Sequence, residues 1–436
     1  MKQLLNKSLH SQRILKSTLI VMVVTIFGYL FSFFSQILVA QHFGTSKEAD
    51  AFVAAKIIPD VLYGMVTVIF TTVFIMCFSK YMHHKKKSHT IAQNMFNIAL
   101  LSGIVGMVLL IIFAPMLAKM VAPGFDAKRI LITTQLIRIL SVSVLLLSLI
   151  SLMTGILYSY HEFLFSSLLK VFLPLGIMMG ILFLSGTLGI KSLAVGTVIG
   201  VGLTIIFQGY TLYKKGFSYQ WHFNLKDKVF LHMLKLSWPL LISSLFFYVN
   251  RTVNTMFASL LPSGKVAVLN YAFMIVSTPA ILFSGSITTT TYPIFTRLQV
   301  KNDHESLERV FHKTVRWIVL LLVPMSLVFI FLGKFMIRIL FERGAFTAAN
   351  TVEVNEALVF YSIGLVAMGL QAALFNLLHS KKKVKLVMIL MIVMFISNVG
   401  FNALFIDRLG YRGLALAMSL AYWVNVGIGW VMVKEG

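Results

Sequence analysis

Residues 237–257 read SWPLLISSLFFYVNRTVNTMF, an apolar stretch that contains one arginine, Arg251. About 20 mostly apolar residues are the length of a transmembrane helix. An unpaired arginine at the centre of a bilayer costs at least ~2.5 kcal/mol, so such a residue faces a water-filled space or a partner. The spacing of the polar residues places them on one helix face. They are Ser244, Tyr248, Arg251 and Thr255. The stretch therefore predicts a membrane helix that lines an aqueous cavity.

The composition of the whole chain indicates an all-α polytopic membrane protein. Of the 436 residues, 58% are hydrophobic and 12% are charged, and a soluble domain of this size does not need so much apolar surface. The apolar runs are longer than the roughly ten-residue alternating segments of a membrane β-barrel. The formal charge of +24 does not indicate a nucleic-acid partner, because the basic residues lie mostly in short loops. The single cysteine, Cys77, cannot form an intramolecular disulfide.

Twelve transmembrane spans can be placed along the chain. They lie near residues 18–40, 52–79, 93–118, 130–157, 163–185, 192–213, 236–261, 266–293, 317–333, 357–378, 386–405 and 413–433. Of the 38 lysines and arginines, 23 lie in the two terminal segments and the even-numbered loops, and 11 lie in the odd-numbered loops. By the positive-inside rule, this asymmetry places both termini in the cytoplasm. The basic start, residues 1–17, has no small-residue cleavage site, so we expect a retained first helix.

The polar, basic loop at 214–235 divides the chain into two predicted lobes of six helices, 1–213 and 236–436. Three pairs of segments match at offsets of 219 to 221 residues: Leu15-Lys16 with Leu234-Lys235, Asp50-Ala51-Phe52 and Pro59 with Tyr271-Ala272-Phe273 and Pro279, and Ala122-Pro123-Gly124-Phe125 with Arg343-Gly344-Ala345-Phe346. An even number of spans per lobe makes the lobes parallel repeats, which place substrate sites between them.

Two charges in the second span, Lys56 and Asp60, are four residues apart and therefore share a helix face. One interpretation is an intrahelical ion pair that only lets two charges lie in the membrane. The other is a cavity-facing pair whose lysine is released to an anion. Pro59 beside them predicts a bend in the helix.

Two other spans carry stripes of polar or small residues. In the eighth span these are Asn270, Ser277, Ser284, Thr288 and Thr291, and in the first span they are Thr25, Gly28, Ser32 and Ser35. Small hydroxyl residues favour helix–helix packing in membranes, which is one interpretation. The other is cavity lining, which the position of the eighth span directly after the Arg251 helix favours.

The remaining basic residues have simpler interpretations. Arg138 and Lys170 lie within reach of helix ends, so we expect them to extend to the lipid headgroups. The basic runs at 83–87 and 381–383 are expected to fix topology and contact anionic lipid. The loop histidines lack carboxylate or cysteine partners, so no metal site is predicted. No nucleophile elbow, phosphate-binding loop or paired intramembrane carboxylate is present, so neither catalytic residues nor a cofactor are predicted.

Several of these segments resemble the MurJ/MviN-type lipid II flippases, within the wider group of multidrug and oligosaccharidyl-lipid exporters. The matching segments are Phe43-Gly44, Ala49-Asp50-Ala51-Phe52, Ile58-Pro59, Ala122-Pro123-Gly124-Phe125 and Phe341-Glu342-Arg343-Gly344-Ala345-Phe346-Thr347. The resemblance implies a V-shaped, two-lobed fold in the bacterial cytoplasmic membrane. It also implies that the protein moves an undecaprenyl-diphosphate-linked saccharide across that membrane by alternating access.

The chain departs from this family at its cationic positions. Family members carry arginines in the first, second and eighth helices, and usually two further C-terminal helices beyond the twelve placed here. The corresponding positions in this chain are Tyr29, Ser35, Tyr63 and Met274, whereas the acidic residue is retained as Asp50. At the outer end of its span, Asp50 is expected to act in gating or capping.

The leading functional hypothesis is a flippase for lipid II or a related envelope polysaccharide precursor, with a coupling ion left open. The spans contain four cations against Asp60, a surplus that suits a diphosphate in a low-dielectric cavity. The predicted substrate-binding residues are Arg251, Lys56, Asp60, Asp50, Tyr248, Ser244, Thr255, Ser277, Ser284 and Ser32. Arg251 is predicted to bind the diphosphate. The alternatives are a cation-coupled multidrug exporter, with Asp60 as its exchangeable carboxylate, and a non-transporting scaffold for envelope synthesis.

Overall fold

A computed structural model describes the backbone of residues 2–82 and 84–434, and side chains within these ranges except those of 2–20, 85, 86, 243, 246, 247, 251 and 434. All regular elements in the described part of the chain are helices. The long helices are α1 (Lys2–Phe43), α2 (Lys47–Tyr81), α3 (Lys85–Val121), α4 (Ala127–Ser159), α5 (Leu169–Leu188), α6 (Lys191–Lys214), α7 (Lys228–Ser259), α8 (Lys265–Val300), α9 (His304–Phe341), α10 (Ala348–Ser380), α11 (Val384–Leu409) and α12 (Tyr411–Lys434). A four-residue helix, Phe163–Ser166, precedes α5.

The predicted all-α membrane fold is confirmed. Within the described residues, 11 helices are long and apolar enough to cross a membrane. They correspond to all the predicted spans except 236–261. That span falls in α7, where the side chains of Ser243, Phe246, Phe247 and Arg251 lie outside those described.

Two of the long helices contain a π-helical segment. In α2 it is Val68–Val73, after Pro59, and in α8 it is Ala280–Ser284, directly after Pro279. A π-helical turn widens the helix and often marks a functional position. The second helix of each predicted half therefore departs from regular α-geometry after a proline. In α2 this segment begins nine residues beyond Pro59, and the bend predicted at Pro59 stays a prediction.

The chain forms two compact units. Unit 1 comprises residues 1–42, 55–118 and 128–244, and unit 2 comprises 43–54, 119–127 and 245–436. Two short segments of the first half, around the α1–α2 and α3–α4 connections, therefore belong to the unit that holds most of the second half. The lobe limits at 213 and 236 remain a prediction.

Unit 1 fixes its long loop to α3 through amide side chains. Nitrogen atoms of Gln93, Asn94 and Asn97 donate to the carbonyl oxygens of Ser218, Asn224 and His222 at 2.9, 3.0 and 2.9 Å. Each of these amides is buried, so the loop supplies partners that a polar group needs when it leaves water. Part of the predicted inter-lobe loop is thus held against α3 by hydrogen bonds.

Candidate functional site

Four short connections meet within unit 2, and we call them the four-turn cluster: residues 44–46, 122–126, 259–264 and 342–347. They follow α1, α3, α7 and α9 respectively. The predicted topology places all four on the outer side of the membrane. The cluster contains or adjoins most of the segments that carry the family resemblance.

The carboxylate of Asp50 caps a helix that begins 215 residues further along the chain. Its side chain is fully buried, and its two oxygens accept hydrogen bonds from the backbone N–H groups of Gly264, at 2.6 Å, and Ala267, at 2.8 Å. These N–H groups belong to the start of α8, which has no cap from its own N-cap side chain. The first N–H groups of a helix have no acceptor within the helix. A carboxylate accepts their hydrogen bonds and complements the positive end of the helix dipole. Asp50 therefore caps the start of α8 in place of a side chain on its N-cap residue, Gly264.

A reciprocal bond joins the corresponding residues of the two halves. The hydroxyl of Tyr271 donates to the carbonyl oxygen of Gly44 at 3.1 Å. Tyr271 matches Asp50 at an offset of 221, and Gly264 matches Gly44 at an offset of 220. Each half therefore extends one side chain to the glycine that precedes the second helix of the other half.

Three glycines allow the backbones of the cluster to approach each other. A Cβ atom added to Gly44, Gly124 or Gly264 would lie 2.4 Å from the carbonyl oxygen of Ala345, Ser259 or Thr45 respectively. Gly44 and Gly264 also have positive φ values, +52° and +93°, which other residues rarely adopt. Space therefore requires glycine at all three positions, and backbone conformation also requires it at Gly44 and Gly264.

The turns predicted to be repeats have the same geometry. Phe125 N–H donates to the carbonyl of Ala122 at 3.2 Å, and Phe346 N–H donates to the carbonyl of Arg343 at 3.1 Å. Both phenylalanines are buried. Phe346 packs in an aromatic group with Tyr271 and Phe341, with ring centroids 5.8 to 5.9 Å apart. The sequence match between these turns thus reflects a shared local structure.

The two charges of the second span do not pair. Lys56 and Asp60 are both half-buried in unit 1, and no ion pair within 4.0 Å joins either of them to another described side chain. Their spacing places them on one face, but the intrahelical pair of the first interpretation is not formed. Both side chains therefore keep their hydrogen-bonding capacity.

The predicted Arg251 face is only partly described. The Arg251 side chain lies outside the described residues. On the same face, Ser244 and Tyr248 are half-buried and Thr255 is buried. The Ser244 hydroxyl donates to the carbonyl oxygen of Leu241 at 3.0 Å within the helix, and such back-bonding satisfies a hydroxyl in an apolar setting.

Part of the eighth-span stripe packs against α10. The Ser284 hydroxyl is buried without a hydrogen-bond partner among the described residues, and it lies 2.6 Å from the Cβ position of Gly369. The carbonyl oxygen of Thr288 accepts from Asn376 Nδ2 at 2.9 Å. Ser277, one turn before the π-segment, donates to the carbonyl oxygen of Met274 at 3.3 Å. Helix packing thus accounts for positions 284 and 288.

Three other positions in the predicted spans differ in their contacts. Ser32 on α1 is exposed, as is Arg138 on α4. The ammonium of Lys170 donates to the Thr25 hydroxyl at 2.9 Å. That bond joins α5 to α1, and the predicted contact of Lys170 with lipid headgroups stays a prediction.

A buried asparagine network in unit 2 was missed from the sequence. Asn398 Nδ2 donates to Asn250 Oδ1 at 2.8 Å and to Asn254 Oδ1 at 3.0 Å, and Asn402 Nδ2 donates to Asn254 Oδ1 at 2.8 Å. Asn398 and Asn402 are fully buried. Their i, i+4 spacing in an apolar span is the signal that could have revealed them, because amides at this depth bond between helices.

Comparison with known proteins identifies relatives along nearly the whole chain. A family model described as lipid II flippase MurJ matches residues 39–435. The probable lipid II flippase MurJ of Buchnera aphidicola subsp. Schizaphis graminum is 28% identical over 431 residues, covering 97% of this chain and 84% of the relative. That of Rickettsia prowazekii is 25% identical, covering 95% and 82%.

Solved structures share the fold. A lipid II flippase MurJ in an inward closed conformation aligns with a TM-score of 0.84 at 23% identity, covering 95% of this chain and 87% of that one. An inward-facing MATE multidrug transporter of the MOP superfamily aligns with a TM-score of 0.81 at 14% identity, covering 96% and 97%. Because the family model matches almost the entire sequence, the chain belongs to the lipid II flippase MurJ family.

Proposed function

We propose that this protein is a flippase that moves an undecaprenyl-diphosphate-linked saccharide, lipid II or a related envelope precursor, across the cytoplasmic membrane by alternating access. The observation that carries the proposal is the family match over residues 39–435. The curated relatives, named as probable lipid II flippases, align over most of their own length. The cycle moves the substrate without breaking a bond in it, and needs neither a cofactor nor a nucleic acid.

The charges within the spans support an anionic substrate. Lys56, Arg138 and Lys170 lie in predicted spans, and Asp60 is the acidic residue set among them. Intramembrane ionisable residues are costly and commonly mark a substrate pathway. Because Lys56 and Asp60 do not form an ion pair, Lys56 is available to a phosphate.

The multidrug-exporter alternative rests on fold alone. The MATE structures share the fold at 14% identity, which does not transfer a substrate. A cation exporter would also need a carboxylate that exchanges a proton for its cargo. Asp60 is the candidate, and the family match over residues 39–435, which is to lipid II flippases, favours the flippase over this alternative.

Arg251 is the proposed diphosphate ligand of α7. Tyr248, Ser244, Thr255, Ser277 and Ser32 are also proposed to contact the substrate, whereas Ser284 packs against α10. Arg251→Lys should retain partial transport, because a point charge still attracts phosphate although the bidentate geometry is lost. Arg251→Gln should abolish transport while the protein remains in the membrane. A fully active Arg251→Gln variant would assign Arg251 a structural role.

Both termini are proposed to be cytoplasmic. In a Cys77→Ser background, a cysteine at position 128 should react with an impermeant reagent in intact cells, and a cysteine at position 86 should react only after the membrane is opened. Labelling of Lys86→Cys in intact cells would contradict this orientation.

Depletion of the protein tests the function directly. A depleted strain should accumulate lipid-linked saccharide precursors on the cytoplasmic side, and the wild-type gene should clear them. A well-expressed Arg251→Gln variant should not. A scaffold would instead be expected to support envelope synthesis with Arg251→Gln, since it requires no charge at that position.

A further inference from the structure

The side chain of Lys170 is oriented by α1. Lys170 is the second residue of α5, and its Nζ atom donates to Thr25 Oγ1 at 2.9 Å. One turn further along α1, a Cβ atom at Gly28 would lie 2.8 Å from the Cβ atom of Lys170 and 2.9 Å from its carbonyl oxygen. Thr25 and Gly28 thus form the contact between α1 and α5 at Lys170. All three residues belong to unit 1.

Neither Thr25 nor Gly28 neutralises the charge of Lys170. Among the described residues, no carboxylate lies within 4.0 Å of Nζ. The acidic residue of the preceding connection, Glu162, is bound instead to Lys215 at 2.5 Å. An ammonium has three donors, and the Thr25 hydroxyl takes one. The positive end of the α5 dipole adds a further unfavourable interaction with the ammonium.

Lys170 is nevertheless accessible. It is exposed although it lies inside a predicted span, seven residues after the start of that span at 163. Thr25 also lies seven residues into its own span, which is about 10 Å from the membrane end at ~1.5 Å per residue. The ammonium is exposed at this depth, is held by one hydrogen bond, and has two further N–H donors. These are the properties of an anion-binding group.

The residues next to Lys170 and Gly28 in the sequence are apolar or aromatic. Tyr29, next to Gly28, is 36% exposed. Tyr63 packs on the same core cluster as Leu169 and Leu173, which flank Lys170. Because Lys170 lies within a predicted span, where the dielectric constant is low, a charge-assisted hydrogen bond to it is stronger than in water.

We propose that Lys170, which is hydrogen-bonded to Thr25 and packed against Gly28, binds the diphosphate of the lipid-linked substrate within unit 1. This inference rests on the proposed flippase function and assigns a substrate-binding role to a residue for which the sequence favoured a headgroup contact. Thr25 is a positioning residue, because it holds the ammonium without contacting the substrate.

The test measures binding to the purified full chain in phosphatidylcholine nanodiscs, with undecaprenyl diphosphate and the uncharged undecaprenol as probes. Lys170→Gln should weaken diphosphate binding about tenfold, the loss expected for one charge-assisted hydrogen bond. Undecaprenol binding should not change. Lys170→Arg should stay within about threefold of wild type, and Thr25→Val should lose about threefold. Lys191→Gln, at the first residue of α6, is the matched control and should bind as wild type does.

The outcomes separate the inference from the function on which it rests. Equal diphosphate affinity in wild type and Lys170→Gln would overturn the role of Lys170 and leave the flippase function standing. A wild-type protein that does not bind the diphosphate would overturn the function itself. If Lys170→Gln lost phosphatidylglycerol binding as strongly as diphosphate binding, Lys170 would serve bulk lipid headgroups, and the inference would be wrong.

Protein stability provides the remaining control. Lys170→Met removes a charge that has only a hydroxyl partner, so its melting temperature should equal or exceed that of wild type. If Lys170→Met and Lys170→Gln both melted lower and lost undecaprenol as well as diphosphate, the role of Lys170 would be structural and the inference would be overturned.

Discussion

The four-turn cluster and the charged positions in the spans of unit 1 use polar groups in opposite ways. In the cluster, the buried Asp50 carboxylate accepts two backbone hydrogen bonds and Tyr271 donates to a backbone carbonyl. In the spans, Lys56 and Asp60 share a helix face without pairing, and Lys170 bonds to one hydroxyl. A fully satisfied polar network makes a structure rigid, whereas an unsatisfied charge retains its capacity for a ligand. Charge in the first region maintains the fold, and charge in the second is available for transport.

The largest expected effect is the loss of close backbone packing in the cluster. Gly44→Ala would place a Cβ atom 2.4 Å from a carbonyl oxygen at a positive φ, so we expect a destabilisation of more than about 3 kcal/mol. Gly216→Ala is the matched control, because Gly216 also has a positive φ, +80°, but no atom within 4 Å of the added Cβ. It should lose about 1 kcal/mol. Thermal unfolding in detergent measures both, and equal losses would show that packing at Gly44 is unimportant.

Asp50→Asn tests whether the cap governs transport. The amide keeps one acceptor oxygen but turns an NH₂ group toward the second backbone donor, so the start of α8 loses a hydrogen bond at a buried position. We expect transport to slow more than about tenfold while substrate affinity changes less than about twofold. Parallel assays of flipping and of equilibrium binding check this. A variant that binds poorly but flips at the normal rate per bound substrate would make Asp50 a binding residue.

Replacing Lys56 and Asp60 together tests whether the charges in the spans of unit 1 serve transport. Because the two charges do not pair, Lys56→Met with Asp60→Leu should fold with unchanged stability and yet fail to transport. Lys119→Met, at the exposed end of α3, should retain transport. Expression level, melting temperature and flipping rate are the measurements. Full transport by the double variant would mean that these charges have no role with the substrate.

Tyr271→Phe should have a smaller effect than either change at Asp50 or Gly44. It removes one neutral hydrogen bond, to the carbonyl oxygen of Gly44, and keeps the aromatic contacts with Phe341 and Phe346. The expected destabilisation is about 1 kcal/mol, seen as a drop of about 2 °C in melting temperature. A loss as large as that of Asp50→Ala would show that the two reciprocal bonds contribute equally.

The smallest effect concerns a cap outside the cluster. Asp303, partly exposed at the start of α9, accepts a hydrogen bond from Ser306 N–H at 3.0 Å. Bonds from the Ser306 amide and hydroxyl hold the pKa of Asp303 below its ordinary value of 3.8. The carboxylate therefore stabilises the fold at pH above the unfolded pKa, and this contribution is lost as the pH falls through the lowered folded pKa. The melting difference between wild type and Asp303→Ala should be small at pH 7 and shrink below about pH 4. A difference that does not shrink at all as the pH falls below about 4 would contradict the assignment.

Hydropathy and charge predicted the membrane helices because a helix must present about 20 apolar residues to lipid. The repeat was visible because its turns need particular residues, such as the buried Phe125 and Phe346. The partner of Asp50 could not be predicted, since Gly264 lies in the other half of the chain and no local rule specifies it. The spacing of Lys56 and Asp60 permitted an ion pair, but side-chain directions decide whether one forms. The asparagine network was missed because its members carry no charge.

The reciprocal bonds of Asp50 and Tyr271 bear on how this architecture could have arisen from a half-length ancestor. If two identical copies of one half associated, the same residue would occupy positions 50 and 271, and a single side chain would have to bind the preceding glycine of its twin in both directions. Here one position holds an acceptor for backbone N–H groups and the other a donor to a backbone carbonyl. Two identical copies cannot carry this difference, so it requires two copies of the half that mutate independently. The asymmetry at this junction is therefore a mark of divergence after duplication.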